Sequence, residues 1–91
     1  MNKNKHIIFS KHDKIKMRDR GATENEVIRA IEEGSSEPAR KGRLLFRKNF
    51  AFNSNWRGKT YSIKQVAPVV KKEKDKFVII TVYVYYFEGG D

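Results

Sequence analysis

Hydrophobic and polar positions recur at helical spacing in the first half of the chain and alternate in the second. In "RLLFRKNFAF" (43–52), Leu44, Phe46, Phe50 and Phe52 share one face of an extended segment. Arg43, Arg47 and Asn49 share the other, with Leu45 the exception. "KTYSIKQVAPVV" (59–70) sets Tyr61, Ile63, Gln65 and Ala67 against Thr60, Ser62, Lys64 and Val66, and Pro68 predicts an edge or a bulge at its far end. "FVIITVYVYYF" (77–87) is apolar on both faces for most of its length, which predicts a central, covered strand. "NSNWRG" (53–58) and "KKEKDK" (71–76) read as the turns between these strands.

Upstream, residues 5–9 read as a short strand. Ser10 followed by Asp13, and Thr23 followed by Glu26, have the spacing of two capping boxes, each of which starts a helix. Gly21 suits the left-handed position after the first helix, and Gly34 ends the second. Val27, Ile28 and Ile31 fall on one face of the second helix with Ala30 beside them; Ile15 and Met17 are the core positions expected of the first. "SSEPARKG" (35–42) reads as a loop. The layout predicts an α+β fold in two layers: an N-terminal strand and two short helices packed on an antiparallel sheet of three to four strands. Ninety-one residues leave room for one core, so residues 1–91 form a single domain, with 1–4 and 88–91 expected as loose tails.

Composition narrows the class. The chain has no cysteine, which excludes disulfides and thiolate metal sites and agrees with a reducing compartment. The N-terminus is basic, but its apolar run is only Ile7, Ile8 and Phe9, too short for a secretory signal, and the 77–87 stretch suits a strand better than a membrane span. A cytoplasmic protein without cofactor or metal is the expectation, since neither a metal-ligand spacing nor a glycine-rich phosphate loop is visible.

The net charge is +9, and it is unevenly laid out. Residues 23–37 hold five acids and one base (Arg29), whereas residues 38–72 hold ten Lys and Arg and no acid. Such a block is a footprint for a polyanion or an acidic protein partner, weighed against the blander reading of a solubilising surface.

The pattern His12-x-x-x-Lys16-Met17-x-x-Arg20-Gly21, followed by Thr23-x-x-Glu26-Val27-x-x-Ala30-Ile31, resembles an uncharacterised small-domain family. That family carries "H-A-x-x-R-M-x-x-R-G" and ends on a strand like Ile80-Thr81-Val82-Tyr83. It is distantly similar to the BrnT and RelE toxins, and the resemblance implies a RelE/BrnT-like two-layer fold, metal-independent RNA cleavage and an acidic antitoxin partner. Two positions depart from the motif: its alanine is Asp13 here, and its first arginine is Lys16, which keeps the charge but lacks the planar fork that grips phosphate at two points.

Metal-free RNA cleavage needs a base for the ribose 2′-OH, an acid for the leaving oxygen and cations for the phosphate. Of the two histidines, His12 is the candidate, in line with Lys16 and near Arg20 at spacings of four and eight along a helix. Tyr83 is the further candidate, as acid or phosphate donor. Each has an ordinary alternative: a capping or surface histidine, a solvated cationic helix face, a core tyrosine. His6 reads as a strand-surface residue. For RNA binding the candidates are Arg43, Arg47 and Lys64 as a basic plate on the sheet, with Trp56 and Arg57 in the adjoining turn, where Trp56 can stack on an unpaired base. Tyr61 is a second stacking candidate. Three functions therefore compete: a small toxin-type ribonuclease, a non-catalytic nucleic-acid-binding module, and a protein-interaction domain that uses the basic sheet face.

Overall fold

The computed structural model describes residues 6–88. Five strands and two helices follow one another as β1 (His6–Ile8), α1 (Lys11–Asp19), α2 (Glu24–Glu33), β2 (Ser35–Pro38), β3 (Leu44–Trp56), β4 (Lys59–Glu73) and β5 (Lys76–Phe87), with a 3-10 turn at Arg40–Gly42 between β2 and β3. One sheet runs in the order β1-β5-β4-β3-β2. All neighbours are antiparallel except β1, which pairs parallel with the start of β5. The fold is α+β in two layers, with both helices on one face of the sheet.

Both capping boxes form. Ser10 Oγ accepts from the Asp13 amide while Asp13 Oδ2 accepts from the Ser10 amide, and Thr23 and Glu26 repeat the exchange. Asp13 is thus a buried cap. Gly21 follows α1 with φ +88, and a Cβ there would strike the Tyr86 hydroxyl and the Trp56 ring. Both the turn and the close approach require glycine.

The core lies between the layers. Met17 of α1 and Val27, Ala30 and Ile31 of α2 meet Phe46, Val66, Val70, Phe77, Ile79 and Val82 of the sheet. Met17, Val27, Val66 and Val70 are fully buried, each contributing about 1.5–3 kcal/mol by leaving water.

Four expectations need correction. First, Ser35–Pro38 is a strand rather than part of a loop, and with β1 it raises the sheet to five strands. It is short and exposed throughout, as suits an edge. Second, Ile15 is 59% exposed, so only Met17 anchors α1. Third, Trp56 ends β3, and the turn is only Arg57-Gly58, both at positive φ as a two-residue hairpin of type I′ requires. Fourth, Pro68 lies within central strand β4. The β3–β4 ladder has no pairs between Leu45–Val69 and Lys48–Val66, where proline brings no N–H. A register shift at Val69/Val70 in the β4–β5 ladder fulfils the bulge half of that expectation. Of the tails expected at 1–4 and 88–91, all but Glu88 lie outside the described residues, and Glu88 is ion-paired with Lys59 at 2.8 Å.

Candidate nucleic-acid interface

Four of the five acids of the acidic block lie in α2, which packs on the sheet face that carries part of the basic block, and the fifth, Glu37, lies in β2. Lys64 Nζ reaches Glu26 Oε1 at 2.8 Å and donates to the Gly21 carbonyl at 2.8 Å. Lys48 reaches Glu33 at 3.4 Å. Lys64 is buried, and its ammonium also sits 5.3 Å from the centre of the Phe52 ring. Part of the charge asymmetry is therefore neutralised between the layers. Lys64, expected on the basic plate with Arg43 and Arg47, points to the opposite face.

Its hairpin neighbours are likewise engaged. The Trp56 ring stacks on Tyr86 at 5.0 Å and 16°, and the Arg57 guanidinium lies over Trp56 at 4.9 Å. Arg57 also donates to the Asp19 carbonyl at the C-terminus of α1, where a helix dipole favours a cation. Tyr86 donates its hydroxyl to the Arg20 carbonyl at 2.8 Å and meets the Phe52 and Tyr61 rings. Burial, with the Glu26 carboxylate adding to it, raises the Tyr86 pKa against the opposing Arg57 charge. These aromatics latch the hairpin to the end of α1. Trp56 and Arg57, nominated for RNA, serve that latch.

Arg20 is spent at the sheet edge. Past its three pairs with β1, strand β5 presents unpaired backbone, and Arg20 Nη1 donates to the Val82 carbonyl at 2.8 Å and to Thr81 Oγ1 at 3.4 Å. A cation on such an edge blocks pairing with another chain. His12 and Lys16 are exposed on α1, and the His12 side chain makes no hydrogen bond or ion pair among the described residues. His6 is exposed on β1, as expected. Because Met17 packs α1 on the Val66 face, His12 and Lys16 belong to the helix layer, while Arg43 and Arg47 belong to the other face of the sheet. The cleft that would unite imidazole, helix cations and strand cations is not assembled.

The second face of the sheet carries no helix. Its positions form rows across the strands: Leu45–Val69–Thr81, Asn49–Gln65–Tyr85 and Ala51–Ile63–Phe87, with Tyr83 opposite Ala67. Tyr83, Tyr85 and Phe87 are 45%, 42% and 45% exposed, a column of rings along β5 that the sequence pattern led us to expect under cover. Tyr83 and Tyr85 lie roughly parallel, centroids 6.3 Å apart. Same-face positions on a strand repeat every ~6.6–6.8 Å, so each ring offers its own surface.

Beside the aromatic column runs a polar one. Arg47 donates to Gln65 Oε1 at 3.2 Å and to Glu37 at 3.4 Å, and Gln65 donates to Asn49 Oδ1 at 2.9 Å. The network holds Arg47 across the sheet, with its side chain 39% exposed. Arg40 and Arg43 make no ion pair among the described residues. They border a cleft of about 350 Å³ whose apolar floor includes Leu45, Val69 and Ile80 and whose side is Tyr83. Sequence reasoning missed Tyr85, Phe87 and Arg40 for this face. The period-two spacing of Tyr83, Tyr85 and Phe87 was the available signal.

Among the described residues no group of three or more His, Cys, Asp or Glu could hold a metal, and no helix is long and apolar enough to cross a membrane. The chain matches no family model, no curated protein and no solved structure.

Proposed function

We propose that this protein binds single-stranded nucleic acid, RNA in the first instance, on the helix-free face of its sheet. The observation that carries the reading is the exposed column Tyr83, Tyr85 and Phe87 flanked by Arg40, Arg43 and Arg47. Bases present flat π surfaces that stack on such rings, each stack worth about 1–3 kcal/mol, and guanidiniums neutralise the intervening phosphates. An open antiparallel sheet with aromatics at successive same-face positions is a recurrent solution for unpaired bases. Glu37 is the nearby carboxylate, and Arg47 must exchange it for a phosphate, so Arg47 contributes less than Arg43.

Cleavage is not part of the proposal. The nominated base, His12, stands on the helix layer without an acid partner, and Arg20, nominated with it, is bound to the β5 edge. The likeness to toxin-type ribonucleases thus enters only as a reason to test RNA first.

The test is fluorescence anisotropy of a labelled single-stranded RNA decamer across a salt series. Three arginine–phosphate contacts give a slope of about −2 in log affinity against log salt, at about 0.7 per phosphate for single strands. Arg43→Gln should reduce the slope by about 0.7. Affinity that does not change with salt overturns the reading.

A further inference from the structure

We infer that the cleft at the Arg40–Arg43 end of this face is a subsite for a terminal nucleotide carrying a phosphate monoester, which seats the phosphorylated end of a bound strand. The inference rests on the nucleic-acid reading above and adds to it an end group.

Three features distinguish this cleft from the rest of the platform. It is bordered by the segment between β2 and β3, whose Ala39, Arg40 and Arg43 line it; within that turn the Ala39 amide donates to the Arg43 carbonyl at 2.8 Å, and the Arg43 amide donates to the Arg40 carbonyl at 3.2 Å. Lys41 holds this turn with φ 60, in the left-handed region. A strand stacked along Phe87, Tyr85 and Tyr83 therefore meets this turn where Ala39 and Arg40 line the cleft beyond Tyr83. Its volume of about 350 Å³ lies at the small end of ligand sites, a size for one nucleotide rather than a continuing chain.

The second feature is the lining. Leu45, Val69 and Ile80 give an apolar floor, and Tyr83 a ring at the side, which suit a base. The third is charge. Arg40 and Arg43 enter from the turn and from the start of β3, and neither is committed to a carboxylate; Glu37 is engaged by Arg47. Two uncommitted guanidiniums at one mouth match a phosphate monoester, which carries about −1.5 to −2 at neutral pH, better than an internal diester, which carries a single charge. A free nucleoside monophosphate has the same chemistry as a strand end, and the experiment separates the two.

The experiment measures the affinity of one RNA octamer in three forms, with a 5′-phosphate, a 3′-phosphate or hydroxyls at both ends, together with adenosine monophosphate. The expected result is that a phosphate on one particular end tightens binding about tenfold. Arg40→Gln/Arg43→Gln should abolish that increment, so that the three octamers bind alike, all of them weakened by the loss of two phosphate contacts. Adenosine monophosphate should bind more weakly than the phosphorylated octamer and compete with it. If the mononucleotide binds as tightly as the phosphorylated octamer, the cleft is a free-nucleotide site and the strand-end assignment is overturned. Equal affinity for the three octamers overturns the subsite but leaves the platform standing. No binding of any octamer overturns both. Circular dichroism and the melting temperature of the double variant establish that it folds; single Arg43→Lys, which keeps the charge and loses the fork, should retain only part of the increment.

Discussion

Lys64 Nζ lies 2.8 Å from Glu26 Oε1, beneath the helix layer. A cation that the alternating pattern offers to a partner is instead consumed at the interface between α2 and the sheet. The consequence is measurable. Lys64→Met removes two charge-assisted bonds and leaves the Glu26 carboxylate without its cation, held by the Thr23 amide alone, so urea denaturation should show a loss of about 2–3 kcal/mol. RNA affinity should not change. A drop in affinity with unchanged stability would return Lys64 to the binding surface.

The Arg20 guanidinium guards the β5 edge through Val82. Arg20→Ala should cost about 1–2 kcal/mol and expose backbone that can pair with a second chain. Sedimentation should then show concentration-dependent association that the wild type lacks. Were Arg20 a phosphate ligand instead, its loss would weaken RNA binding and leave the sedimentation profile unaltered.

Tyr86 gives a pH test of the hairpin latch. Burial first, then the Glu26 carboxylate, raise its pKa above the ordinary tyrosine value, with Arg57 opposing. The neutral phenol is the form that the folded state favours. Its contribution is therefore intact below about pH 10 and is lost as pH rises through the elevated value. Phenolate absorbance should show a step above the ordinary tyrosine value, and Tyr86→Phe should remove it. If Tyr86→Phe leaves the high-pH end of the titration unchanged, the latch is looser than its 2.8 Å bond to the Arg20 carbonyl implies.

His12→Ala should leave stability within about 0.5 kcal/mol of wild type, since the ring is exposed and unbonded among the described residues. RNA affinity should also be unchanged, and total RNA incubated with either protein in EDTA should remain intact. RNA cleavage by the wild type that the variant lacks would restore the ribonuclease reading.

Much of this arrangement is legible in the residues. The two capping boxes, the glycine after α1 and the opposition of Phe46 and Phe50 to Arg43 and Arg47 follow from local spacing, and all stand in the fold. What was hidden depends on partners distant in sequence. Lys64 shares a strand face with Val66, and only the approach of Glu26 and the Gly21 carbonyl makes its burial tolerable. The shift at Val69/Val70 changes which β5 residues face the helices, so Ile79 and Val82 are both core while Tyr83 and Tyr85 turn outward. An apolar run cannot by itself show which of its faces stays uncovered. Ser35–Pro38 has no apolar alternation, being a polar edge strand fixed by its pairing with β3.

In the binding mode proposed above, the helix-free face, and not the surface of α1, takes the nucleic acid. Backbone amide shifts of the labelled protein, followed by NMR during titration with a single-stranded RNA octamer, test it most directly. The largest changes should map to Tyr83, Tyr85 and Phe87 of β5 and to Arg43 and Arg47, with Lys11–Asp19 silent. Changes centred on His12, Lys16 and Arg18, with the β5 tyrosines unmoved, would contradict it.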